Sequence, residues 1–111
     1  MSLQKREGKA ELIFARKQAL DSGLLVERKI WRVPKSANYP LGVKYRLVLA
    51  EPKEHAIILL YDNHHPKGPH VHWDGREREY DFKSVEILLN DFFQESAVEE
   101  RRFYENKKNH Y

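Results

Sequence analysis

The sequence predicts an α+β domain, an antiparallel β-meander of five or six strands packed against a C-terminal amphipathic helix. Two observations carry this. From Lys9 to Phe82, apolar residues recur with period two in short runs, and Gly, Pro, Asn or Asp closes the runs. From Ser84 the period changes to three and four. Strands first and a helix last is the order of a segregated α+β fold.

In Lys9–Lys17, Ala10, Leu12 and Phe14 alternate with Glu11 and Lys17, which reads as a strand. A helix over Lys9–Leu20 is the rival reading, and the alternation favours the strand. Asp21-Ser22-Gly23 is a turn signal, so Leu24–Val33 returns as the second arm of a hairpin. Arg28 and Arg32 should share one of its faces, and Lys29 and Trp31 the other. Pro34 lacks an N–H and stops the ladder. After the loop Lys35–Pro40, Gly42 opens a third strand in which Tyr45, Leu47 and Leu49 alternate with Lys44 and Arg46. The polar turn Glu51–Glu54 leads to a fourth strand, His55–Asp62, apolar on both faces over Ala56–Leu60 and therefore central. Two prolines and a glycine make Asn63–Pro69 irregular. His70–Trp73 is a short strand, Asp74-Gly75 a tight turn, and Glu79–Phe82 a returning strand. Ser84 is placed as an N-cap, and Val85, Leu88, Leu89, Phe92 and Phe93 form the helix stripe expected in the core. We expect residues 1–8 to be a flexible leader, 9–93 the domain, and 94–111 a charged helical extension.

The composition bounds the function. The 111 residues are 41% hydrophobic and 33% charged, the balance of a soluble globular domain. There is no cysteine, which excludes disulfides, thiolate zinc sites and Cys nucleophiles. The longest apolar run, Ala56–Tyr61, is far below the ~20 residues of a membrane helix. No apolar signal-like stretch stands at the N-terminus, so we expect a cytoplasmic protein with no membrane partner. The net charge of +3 is unevenly spread. Residues 1–50 hold 11 Lys/Arg against 4 Asp/Glu, and residues 51–111 hold 9 against 13. A basic half suits an acidic partner, whether nucleic acid or protein.

Four of the six histidines lie between residues 64 and 72, beside Asp62. On an extended strand His70 and His72 project to one face. Two imidazoles so placed can act as general base and general acid in phosphodiester cleavage, with Lys or Arg stabilising the developing charge. Asp62 is the candidate to orient one ring. Lys67, Lys44, Arg46, Arg28 and Arg32 are the candidate phosphate-binding residues, and the last four form one patch if their strands are neighbours. Tyr39, Trp73 and Tyr80 could stack on bases where exposed. Trp31 and Tyr45 are expected in the core. A plainer reading makes the histidines solvated strand residues and pairs the cations with acids such as Glu27 and Glu51. A metal held by His70 and His72 is a third option, without a spacing that identifies further ligands. No Gly-rich phosphate loop, serine elbow or paired-carboxylate signature is present, and no cofactor is called for.

Several segments together resemble the TumE-type toxin–antitoxin family of small prokaryotic domains. They are Lys9-Ala-Glu-Leu12, Val26–Pro34 with its Trp-Arg-Val-Pro, Lys44-Tyr-Arg-Leu47, Tyr61-Asp-Asn63, Lys67-Gly-Pro-His-Val-His72 with Gly75, and Tyr80-Asp-Phe82 leading to Asp91-Phe92. They cover about residues 9–93. The resemblance implies the toxin half of a two-gene module, a helix-turn-helix antitoxin as partner, and action on RNA or translation. The matching motif positions are Asp62, Asn63, Lys67, Gly68, His70 and His72. His64-His65-Pro66 and the tail 94–111 depart from the pattern. Whether the chain is an enzyme, as a metal-independent ribonuclease, stays open at this stage, as does a homodimer. The alternative is a non-catalytic module that binds nucleic acid or protein through the basic strand face.

Overall fold

The computed structural model describes residues 9–108. The leader expected over residues 1–8 and the last three residues of the tail lie outside the described residues. Six strands run β1 (Glu11–Ala19), β2 (Leu25–Arg32), β3 (Val43–Glu51), β4 (Ala56–Asp62), β5 (His70–Trp73) and β6 (Arg76–Glu79), followed by one helix, α1 (Val85–Lys108). Every strand pairs antiparallel with the next, and the sheet order is the chain order. The expected α+β meander with a terminal helix is the fold.

Local chemistry explains the joints. Between β1 and β2, Gly23 adopts a φ of +93°, and the Leu20 N–H donates to the Leu24 carbonyl at 2.8 Å. Between β5 and β6, Asp74 and Gly75 both take positive φ, 50° and 70°. This is the backbone of a two-residue hairpin turn whose twist matches the flanking strands. The return strand therefore starts at Arg76, immediately after the turn. Glu79–Phe82, expected to be that strand, is instead the end of β6 and the connection to the helix. Ser84 caps α1, its Oγ accepting from the Ile87 N–H at 3.1 Å.

Residues directly opposite across an antiparallel ladder share a face, so the register sorts the side chains. Phe14, Ile30, Tyr45, Leu47, Leu49, Leu59, Tyr61 and Val71 face the helix. Helix residues Leu88 and Phe92 close onto them, with Phe92 edge-on to Tyr61 at 5.5 Å. Leu47, Leu49, Leu59, Val71 and Leu88 are fully buried. At about 25 cal/mol per Å2 of apolar area removed from water, this layer is the main source of stability.

Three expectations about faces are corrected. The β1 ladder slips between Leu12 and Phe14, so these two residues lie on opposite faces, and Leu12 is exposed. The slip is a β-bulge, which period-two reading cannot anticipate. Phe93 is 66% exposed, because it stands about 100° round the helix from the buried Phe92. Trp31, expected in the core, pairs with Lys44 on the face away from the helix, whereas Tyr45 is buried as expected.

Candidate functional site

The face turned away from the helix carries the polar rows of the sheet. One row crosses it as Lys29, Arg46, Asp62, His70 and Glu79, each the register partner of the next. The adjacent row runs Glu27, Val48, Leu60, His72 and Glu77. Lys44 belongs to the same face, its Nζ 5.7 Å from the centre of the Trp31 ring. Arg28 pairs with Leu47 and Arg32 with Val43, so both point to the helix side. The patch of four cations expected from Arg28, Arg32, Lys44 and Arg46 is therefore split. Direct pairing of Lys29 with Arg46 puts Lys29 where Arg28 and Arg32 were expected. Arg32 is tied to Glu11 at 3.1 Å, and the Arg28 guanidinium lies 5.4 Å from the Phe14 ring centre.

The histidines come together with a residue that the sequence reading missed. Glu77 stands opposite His72 across the β5–β6 hairpin. Its Oε1 is 3.5 Å from His70 Nε2, and its Oε2 is 3.5 Å from His72 Nδ1. Lys67 Nζ donates to both oxygens at 2.9 Å. The Lys67 hydrogen bond, opposed by partial desolvation and helped by the charges of Lys67, His72 and His70, holds the Glu77 carboxyl below the usual glutamate range. His70 Nδ1 also meets the Gly68 carbonyl at 3.0 Å. Both nitrogens of His70 are thus engaged, whereas His72 meets Glu77 through Nδ1, and among the described residues no hydrogen bond reaches its Nε2. The two rings lie 6.3 Å apart. The signal for Glu77 was the turn: with Asp74-Gly75 as a two-residue hairpin, Trp73 pairs with Arg76 and His72 with Glu77. Asp62 faces His70 across the β4–β5 ladder, and the contacts to the His70 ring nitrogens come from Gly68 and Glu77.

The loop that delivers Lys67 is anchored by Asn63, which is 5% exposed. Its Oδ1 accepts from the Tyr45 N–H at 2.9 Å and its Nδ2 donates to the Val43 carbonyl at 2.8 Å. The side chain thereby extends the β3–β4 ladder beyond its last backbone pair and fixes where residues 64–69 begin. Beside His72 a cavity of about 350 Å3 opens, floored by Ile57 and Leu60 and rimmed by Arg76 and Glu77. Of the aromatics considered for stacking, Trp73 lies on the helix side under Arg78, and Tyr80 is half-buried against Tyr61 with its hydroxyl on Asp91. Tyr39 sits by the loop, accepting from the His65 N–H at 3.3 Å. Among the described residues, no three His, Cys, Asp or Glu side chains are grouped so that they could hold a metal ion.

The helix side has its own polar cluster. Arg78 forks onto Glu95 at 2.6 and 3.2 Å, and the Tyr61 hydroxyl donates to the same carboxylate at 2.6 Å. Burial, then the Glu95 hydrogen bond, pushes the Tyr61 hydroxyl above its usual range, so it remains a donor. Burial alone would raise the Glu95 carboxyl, but the hydrogen bonds from Arg78 and Tyr61 outweigh it and hold the carboxyl below its ordinary value. This cluster ties β4, β6 and α1 together and lies on the other side of the sheet from the histidines.

The family model described as Toxin TumE matches residues 4–102, most of the chain. The chain belongs to the TumE toxin family. As a family member it is a toxin-like component of a toxin–antitoxin system, and membership implies an antitoxin partner. No curated protein and no solved structure matches it. The TumE match runs further into α1 than the sequence motifs reach, and it takes in all of β1 to β6. No helix among the described residues is long and apolar enough to cross a membrane.

Proposed function

We propose that this TumE-family toxin cleaves RNA with the histidine pair on the open sheet face. The observation that carries the reading is the Glu77 carboxylate set between His70 and His72, beside a cavity and on the same face as the Lys29–Arg46 pair. A carboxylate against one imidazole nitrogen orients the ring and leaves the other nitrogen to take a proton. His72, held by Glu77 through Nδ1, is the general base. Its Nε2 takes the proton of a ribose 2′-hydroxyl as that oxygen bonds to the adjacent phosphorus. His70, with Nδ1 on the Gly68 carbonyl, is the general acid: its Nε2 proton, shared with Glu77 in the resting chain, passes to the departing 5′-oxygen as its bond to phosphorus breaks. The products are a 2′,3′-cyclic phosphate and a free 5′-hydroxyl, and protons and bonds balance without a further reactant. Lys67 swings from Glu77 to the phosphate, and Arg46, Lys44 and Lys29 hold the flanking phosphates. The apolar floor of Ile57 and Leu60 receives a base. Asp62, beside Arg46 and His70, keeps that row from binding anions indiscriminately. We read the antitoxin as a helix-turn-helix protein from the neighbouring reading frame.

The test is purified protein incubated with total RNA, wild type against His70→Ala and His72→Ala, with the product ends determined. The reading expects cyclic-phosphate ends from wild type and a loss of roughly 100-fold or more in each variant, the scale of general acid–base catalysis. Equal cleavage by all three, or none by wild type together with no growth inhibition on expression, sinks it.

A further inference from the structure

A second cavity, of about 310 Å3, lies on the opposite side of the sheet from the histidines, between the β1–β2 end and α1. Its wall is mainly apolar, with Leu20 and Val26 from the sheet side and Phe92, Phe93 and Ala97 from the helix. Gln18 and Glu100 add polar edges, and two more polar atoms stand unpaired in the wall. Arg28 Nε and Ser96 Oγ are both buried with no hydrogen-bond partner among the described residues, and both residues line the cavity. Ser96 as a whole is only 8% exposed. Folded proteins retain few such unsatisfied groups, because each forfeits its bonds to water and gains nothing in return. Here one comes from the sheet and one from the helix, on residues that line the same space.

The geometry points to a binding site for a small monocarboxylate carried on an apolar body, with the carboxylate accepting from Arg28 Nε and Ser96 Oγ while the body lies against Val26, Phe92 and Phe93. The charge count selects the head group. Arg28 is always cationic and is stacked on Phe14 at 5.4 Å, which leaves its Nε edge as a fixed donor. Glu100, the one acid among the lining residues, accepts from Ser22 Oγ at 2.7 Å. With Glu100 offsetting part of the Arg28 charge, the site has no surplus for a phosphate dianion, and a monoanion accepting directly from Arg28 is the most charge it takes. The size selects the body: about 310 Å3 is at the small end of ligand pockets, which span roughly 300–1,000 Å3. The site is independent of the RNA reading, since none of its residues is on the histidine face.

The test is calorimetric titration with 3-phenylpropionate and with hexanoate, using 3-phenylpropanamide and phenyl phosphate as controls. It is run on wild type, Arg28→Gln and Ser96→Ala. We expect one saturable site for both acids and at least about tenfold weaker binding of the amide and the phosphate, the scale of a charge-assisted hydrogen bond. Arg28→Gln should lose about tenfold or more. Ser96→Ala keeps a strong helix former in α1, so it should stay folded by circular dichroism and lose a smaller factor. If Arg28→Gln does not fold, Ser96→Ala decides. No saturable binding of either acid, an amide as tight as its acid, a tighter phosphate, or undiminished binding in the folded variants overturns the proposal.

Discussion

On β4, Leu59 and Tyr61 point to the helix and are closed to solvent, while Leu60 and Asp62 point the other way, beside Arg46 and the histidines. The same strands build both faces from alternate residues, and the two faces answer to different physics. The helix side removes apolar area from water and gathers paired charge in the Tyr61–Glu95–Arg78 cluster. The open side leaves Arg46 exposed and spends one carboxylate, Glu77, on two imidazoles and a lysine. Stability and chemistry can therefore be altered separately, one pleat apart. Substitutions that cross this division, or fail to, measure how complete it is.

The largest effect is expected on the helix side. Leu59→Ala removes a side chain with no exposed area and leaves a cavity under α1. The cost is about 2–5 kcal/mol, and chemical denaturation should register it as a lower midpoint with an unchanged slope. Leu60→Ala, the neighbour on the open face, should cost clearly less. Equal losses at the two positions would mean that the open face is not open.

Asn63→Ala comes next. It strands the Tyr45 N–H and the Val43 carbonyl, for a cost of about 1–3 kcal/mol. Because Asn63 also fixes the start of the loop carrying Lys67, this one change should reduce both stability and toxicity. Growth inhibition and thermal unfolding measured on the same variant would show whether the two faces are coupled through it.

The polar cluster adds a pH dependence. The Glu95 carboxyl is depressed in the folded chain, so its contribution to stability is present above the ordinary glutamate value of 4.5 and is lost as pH falls through the lower, folded value. Wild type should lose stability below about pH 4.5 more steeply than Glu95→Gln, which starts lower at neutral pH. Parallel pH profiles would remove Glu95 from the account.

Much of the helix side was legible in the sequence. Tyr45, Leu47 and Leu49 alternate without interruption, the run Ala56–Leu60 marks an interior strand, and Ser84 announces the helix with the spacing that its hydroxyl needs. These signals are local. The errors lie where the decisive fact is register between strands. Arg28 and Lys44 each sit on a polar-looking face of their own strand, but pairing of Lys29 with Arg46 turns Arg28 to the opposite side. The bulge at Ile13 breaks the alternation of β1. Glu77 was hidden by placing the return strand three residues late, which moved it out of reach of His72. A one-residue change in register flips a whole strand, so composition and period cannot supply what pairing decides.

The smallest expected effect on stability is at Glu77, where the division between faces is tested most directly. The residue is at the surface, and its ion pairs with Lys67, His70 and His72 are of the solvent-screened kind that add little to folding. Glu77→Gln keeps the size and one acceptor oxygen but removes the charge that both rings face. The amide can donate to a ring nitrogen and so favours a different imidazole tautomer, as replacing the orienting carboxylate of a catalytic histidine does. Thermal unfolding at pH 7 should therefore be indistinguishable from wild type, while growth inhibition and RNA cleavage fall together. Because the Glu77 carboxyl is held below its usual range, acidification in wild type should reach the same condition only below the ordinary glutamate value of 4.5. Full activity in a folded Glu77→Gln would remove Glu77 from the mechanism and leave the histidines to act without an orienting carboxylate.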